Sequence, residues 1–183
     1  MPESTLPTPV QFSDGEQVDA EKLNSLSTLS NGWSEPPAFH FLNDKDRSLS
    51  PEDDHTIPWR AVGYNNTTAE VASKIVMPVE GLWSIRCAIQ VAHHDKDSAI
   101  HLRVHKVKAA TSEDVIVALA DERTVSSSAY TYNLDCAADV PIRAGDQLYC
   151  KLTHYAAKAL TLGHTYYGTC LSARLVARYP EAS

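Results

Sequence analysis

The sequence predicts an all-β fold, an antiparallel sandwich or barrel, behind a short N-terminal arm that contains one short helix. Three observations point there. Between Leu82 and His94, Trp83, Ile85, Cys87, Ile89 and Val91 alternate with Ser84, Arg86, Ala88, Gln90 and Ala92, and period-two alternation of that length marks a strand with one buried face. Helical periodicity is almost absent after residue 38, where short apolar runs are separated by turn residues. Charge and composition also change near residue 37. Residues 1–37 carry a net −5 of the chain's −7, and Ser27 to Pro37 is polar, turn-rich and ends in Pro-Pro, the composition of a linker.

The elements follow in chain order. In the arm, Asp14-Gly15 is a turn signal and Asp19 a good helix N-cap ahead of the helix formers Ala20, Glu21, Lys22 and Leu23. Val18, Leu23 and Leu26 give this two-turn helix an apolar side. A helix so short is not stable alone and is expected to dock, on a partner or on its own globule. Beyond the linker the expected strands are Phe39–Leu42, Thr56–Val62, Lys74–Val79, Leu82–His94, one around Ile100–His105, Val115–Ala120, Tyr130–Leu134, Leu148–Thr153 and Tyr166–Ala177. The expected organisation is an arm and linker over 1–37, a β domain over 38–178 and a tail over 179–183.

Composition narrows the function classes. A chain of 183 residues, 43% of them hydrophobic, has the length of one domain with something appended and needs no metal or disulfide to fold. Its net charge of −7 gives no general attraction to nucleic acid or anionic membranes. The longest apolar run, Val115 to Ala120, is far too short to insert into a membrane as a helix. The opening Met1-Pro2-Glu3-Ser4-Thr5 has neither the basic region nor the apolar core of a secretory leader, so the expectation is a protein not exported by the usual route. Cys87, Cys136, Cys150 and Cys170 form no C-x-x-C pair, and they read as reduced small hydrophobes.

Histidines and carboxylates are the main candidates for chemistry. His101, Arg103 and His105 share one face of a strand whose other face is Ile100, Leu102 and Val104, which makes them a candidate surface-binding face or a solvated one. The two imidazoles lie roughly 13 Å apart along an extended strand, too far to share a metal. His154 continues an apolar face and reads as a hydrogen-bonded core histidine. Carboxylates cluster at Asp44–Asp46, Glu52–Asp54 and Asp95–Asp97; solvated loops are the expectation, with calcium as the alternative. Nucleophile elbow, phosphate loop and Cys/His pair are all missing from the sequence. The expectation is a non-enzymatic protein with no catalytic residues, no metal and no cofactor.

Three further segments, in order, carry a resemblance. Lys74 to Val91 reads KIVMPVEGLWSIRCAIQV, Ile142 to Leu152 reads IRAGDQLYCKL, and Thr165 to Leu171 reads TYYGTCL. Together they resemble the complement-C-one-q and tumour-necrosis-factor-like jelly roll over about residues 36–178. That resemblance implies a tight homotrimer with aromatic residues of the inner sheet around the threefold axis, and makes Tyr130, Tyr132, Tyr166 and Tyr167 candidate trimer-interface residues. The alternative is that these tyrosines fill the sandwich core. The Gly-x-y stalk of those relatives is absent.

The arm resembles something else. Phe12 to Leu26 reads FSDGEQVDAEKLNSL, similar to the opening of many tailed-phage fibre and virion-attached proteins. It implies virion attachment through Phe12, Val18, Leu23 and Leu26, and assembly in a bacterial cytoplasm. The expected partners are its own copies, other tail or capsid proteins and a host-surface glycan or protein, without nucleic acid or membrane insertion. A minor tail or fibre protein is the leading expectation and a capsid decoration or head-fibre protein its alternative. A soluble glycan- or receptor-binding module and a cupin-like metalloenzyme stand further off.

Overall fold

Strict alternation builds the molecule. The computed structural model describes residues 36–93, 98–124, 130–163 and 168–178. The predicted arm helix, Phe12, Val18, Leu23, Leu26, Tyr166, Tyr167 and the tail over 179–183 lie outside the described residues. The chain divides between Pro37 and Ala38 into two units, and the strands all belong to the second.

Among the described residues twelve strands form two antiparallel sheets. The first is centred on β6 (Gly81–His93), which pairs β9 (Tyr130–Ile142) along one edge. Along its other edge run β12 (Cys170–Ala177) and β11 (Leu160–Leu162), end to end. From β12 the sheet continues to β1 (Ala38–Leu42) and β4 (Ala61–Asn65), and from β11 to β2 (Arg47–Leu49). The second sheet is centred on β10 (Gln147–His154), with β7 (Ala99–Val107) and then β8 (Asp114–Arg123) on one side. On the other side lie β3 (Asp54–Thr56) and β5 (Ile75–Val76).

The inward faces supply the core. Trp83, Ile85, Cys87, Ile89 and Val91 of β6 are at most 1% exposed. They face Ile100, Leu102 and Val104 of β7 and Leu148, Cys150 and Leu152 of β10, all of them fully buried. Each large aliphatic side chain so buried contributes about 1.5–3 kcal/mol. Phe39 and Phe41 stack at 4.7 Å between ring centroids, and the Trp83 indole N–H donates to the Val79 carbonyl at 3.0 Å. Lys106 lies on the inward side of β7, and its Nζ donates to the Pro141 carbonyl of β9 at 2.8 Å, a polar strut between the sheets.

Some expected strands take a different form. The run Thr56–Val62 is two strands in different sheets. Pro58 lies between them, where the chain crosses over: Ile57 N donates to Cys150 O and Arg60 N to Leu42 O. Lys74–Val79 contracts to two paired residues ahead of Pro78. β9 runs eight residues beyond the predicted Leu134, through Pro141. Because β9 is an edge strand, the proline's missing N–H falls where no partner strand needs it. β2 and β11, of three residues each, have too little length to show a period.

Two glycine turns obey local geometry. Gly81 opens β6 at φ +147°, and a Cβ there would meet the Ala177 carbonyl oxygen at 2.4 Å, so only glycine fits. Gly145 (φ +87°) sets up Asp146, whose buried carboxylate accepts from Ala109 N at 2.9 Å and Arg143 N at 3.0 Å. The backbone of the same turn pairs with Met77 in both directions. Asp146 thus ties three chain segments together. Asp146→Ala is expected to lower unfolding free energy by about 2–4 kcal/mol, since it strips the acceptor from two amide donors, with Asp146→Asn intermediate. Urea denaturation midpoints check this, and an unchanged midpoint in the alanine variant contradicts it.

Candidate functional site

Both sheets turn an ordered outward face to solvent. On the second sheet the strand registers arrange it in rows. Asp121, His101, Thr153 and Asp54 form one row, and Leu119, Arg103, Lys151 and Thr56 the next. A register shift in β8 then brings Ile116 opposite His105, with Tyr149 on the far side. The sequence placed His101, Arg103 and His105 on one face, and the structure puts all three on this one.

Their environments differ. His105 is only 8% exposed, which corrects the expectation of a solvated or ligand-facing side chain. Its ring stacks on Tyr149 at 4.7 Å, and its Nδ1 is 2.9 Å from Asp114 Oδ1. The Tyr149 hydroxyl donates to the other Asp114 oxygen. Burial pushes the Asp114 carboxyl up, but Tyr149, His105 and the charge of Lys151 together overcome it and hold the group below the usual carboxylate range. Burial and the same carboxylate push the Tyr149 phenol well above its ordinary value.

The other rows carry the remaining polar groups. His101 pairs with Asp121 through Nδ1 and meets the Tyr155 ring edge-on at 5.5 Å. Asp54 accepts from the Thr153 hydroxyl and, at 3.3 Å, from Lys151. Thr153, and after it Lys151 and Arg103, hold its carboxyl low against a smaller effect of burial. Lys74 lies over the Tyr149 ring at 5.0 Å, a cation–π contact.

The first sheet presents a smaller-grained face. Its rows run Ala38, Arg174, Ser84, Asp139, then His40, Ser172, Arg86, Ala137, with Cys170, Ala88 and Asp135 beyond. Arg86 binds Asp135 through Nε and Nη2, and His40 Nδ1 shares a 2.7 Å hydrogen bond with Ser172 Oγ. Burial holds the His40 imidazole below its ordinary value. Tyr64, 49% exposed, stands at the β4 end of the His40 row. Tyr132 is not on this face. It pairs with Val91, whose side chain is fully buried, and sits half-buried on the side turned to the second sheet, the position of the core-filling alternative. The backbone of Tyr130 pairs with His93.

The nucleophilic and metal-ligating side chains are dispersed or buried. Cys136 is pushed up to about 12 by burial, Cys87 is raised by its contact with Cys150 and by burial, and burial raises Cys170. Thiols in that state are protonated and unreactive. His154 is fully buried and its Nε2 donates to the Leu49 carbonyl at 3.1 Å. Among the described residues no group of three His, Cys, Asp or Glu side chains converges to hold a metal ion.

Comparisons with known proteins agree on the architecture. Eiger TNF from S. frugiperda superposes with a TM-score of 0.65 at 14% identity, over 81% of this chain and 98% of its own. Murine APRIL at pH 5.0 superposes at 0.62, again with 14% identity, over 77% of this chain and 100% of its own. At that identity the likeness shows the fold, a TNF-like antiparallel jelly roll. No protein-family model matches the sequence, and no curated protein does.

The Asp114 cluster predicts a specific pH dependence. Its carboxyl is lower in the folded than in the unfolded chain, so its stabilisation is complete above the unfolded value near 4 and is lost as pH falls through the folded value. Tyr149→Phe removes one donor, and Asp114→Asn removes the titrating group. Both variants are expected to show a flatter loss of stability between about pH 4 and pH 2 than the parent chain, measured by urea unfolding at stepped pH. Parallel acid limbs in all three proteins contradict the assignment.

Proposed function

We propose that the protein is a non-enzymatic structural component of a tailed-phage virion. Residues 38–178 act as a homotrimeric jelly-roll knob, and the N-terminal arm attaches it to the particle as a minor tail or fibre protein contacting the host surface. The observation that carries the self-association is the outward face of the first sheet. Ala38, Ser84, Ala88, Ala137 and Ser172 leave low ground between Arg174, Asp139, His40 and the Arg86–Asp135 pair where a second copy's side chains can seat, and β9 leaves a 13-residue edge unpaired by any strand among the described residues. An unpaired edge of that length invites a partner. The family resemblance supplies the number three. The arm motif over Phe12 to Leu26 supports the virion, with Phe12, Val18, Leu23 and Leu26 as the docking side chains.

A head location is the second reading, favoured by the short linker over 27–37, which leaves no shaft between arm and knob. A decoration protein repeats over the capsid lattice and a tail protein occurs in few copies, so quantitative mass spectrometry of whole particles separates the two. A soluble glycan- or receptor-binding module instead predicts that deleting residues 1–35 leaves every binding activity intact.

Two substitutions test the parts separately. Ala137→Asp places one carboxylate per copy beside the open β9 edge of that face and is expected to yield a folded single chain in sedimentation experiments. Continued association would move the interface elsewhere. Leu23→Asp combined with Leu26→Asp is expected to leave the knob folded but abolish incorporation into particles, and normal incorporation would remove the arm's assigned role.

A further inference from the structure

At the centre of the outward face of the second sheet is a cation whose hydrogen-bonding capacity nothing among the described residues uses. Arg103 is half-buried in the centre of the β8–β7–β10–β3 ladder, between Leu119, 56% exposed, and Lys151. Two like charges directly opposite on adjacent strands are unfavourable. Each neighbouring carboxylate is already engaged: Asp54 by Thr153 and Lys151, Asp114 by Tyr149 and His105, and Asp121 by His101. Arg103 feels Asp54 at long range but donates no hydrogen bond among the described residues. A planar fork of five N–H donors left in that state is matched by a carboxylate from outside the chain.

We propose that this face binds an acidic saccharide, with the sugar carboxylate on Arg103. The surroundings choose the class. Asp54 and Asp121, flanking the fork one row away, accept hydrogen bonds from sugar hydroxyls, which a peptide of glutamates does not offer. Thr56, half-buried, adds a hydroxyl to the Arg103 row. Tyr155, 54% exposed and set edge-on to His101, presents an aromatic ring for an apolar sugar face to cover. Arg103 lies about 7 Å from His101 along the strand, with Tyr155 beyond, so a ligand reaching both ends spans more than one sugar ring. This deepens the host-contact reading and rests on it for its biological meaning, while its test needs neither trimer nor particle.

Calorimetric titration of the full chain with trigalacturonate, a uronic-acid trisaccharide, tests it. Maltotriose serves as the neutral control and hexaglutamate as the acidic-peptide control. Trigalacturonate is expected to bind at least tenfold more tightly than either. Arg103→Ala is expected to weaken it roughly ten- to a hundredfold, the range for a lost charge-assisted hydrogen-bond pair. Arg103→Lys keeps the charge but not the fork and should recover only part of the loss. It also decides the matter if the alanine variant does not fold. Tyr155→Ala is expected to weaken binding severalfold. No binding by the parent chain, equal binding by the Arg103 variants, or equal binding of hexaglutamate overturns the proposal. An oligomer that ignores trigalacturonate sinks this site and leaves the knob standing, whereas a monomer that binds it does the reverse.

Discussion

β6 is the strand on which the sandwich depends, because it is paired along both edges and buried along one face. Five alternate side chains from Trp83 to Val91 point into the core, and both the long partner β9 and the pair β12 and β11 take their register from it. With a side-chain period of two, a one-residue slip would turn all five outward. Gly81 fixes where the strand begins, since the Ala177 carbonyl occupies the place of any Cβ. The second sheet can then close the core only with an equally regular face, which Ile100, Leu102 and Val104 of β7 and Leu148, Cys150 and Leu152 of β10 provide.

The same alternation that fills the core determines what each outward face can do. Every second residue of β7 and β10 is available for polar chemistry, and the sheet spacing of about 4.8 Å brings three or four residues into each row. The Asp114 cluster is built this way, from β8, β7 and β10, and it fixes His105 and Tyr149 in a stacked pair against one carboxylate. Arg103, one pleat step away, is left with its donors unused. On the first sheet alanine and serine share the outward positions with Arg174, Asp139, His40 and the Arg86–Asp135 pair. A face of that kind suits close approach of another surface more than recognition of a small ligand.

Much of this was legible in the sequence, for identifiable reasons. Strands β6, β7 and β10 are long enough for alternation to show, and the Gly145-Asp146 turn announces itself by composition. The second half of β9 was hidden because Ala137, Ala138 and Pro141 are poor strand formers, and the proline is tolerated because that edge is open. The crossing at Pro58 was hidden because an extended run looks the same whether or not it changes sheets. Long-range contacts were the least visible. Tyr149 lies 35 residues from Asp114 and covers a histidine on a third strand, so the burial of His105 could not be read from its own neighbours. Asp114, the first residue of β8 after a tight turn, carried no signal beyond its charge.

A knob closed by copies of itself is the central claim, and light scattering coupled to size exclusion of the full chain tests it most directly. One chain weighs 20.1 kDa. The account predicts a particle of about three times that mass at micromolar concentration. A clean single-chain mass under those conditions would contradict it, leaving the jelly roll as sheet architecture and the low face of the first sheet without an occupant.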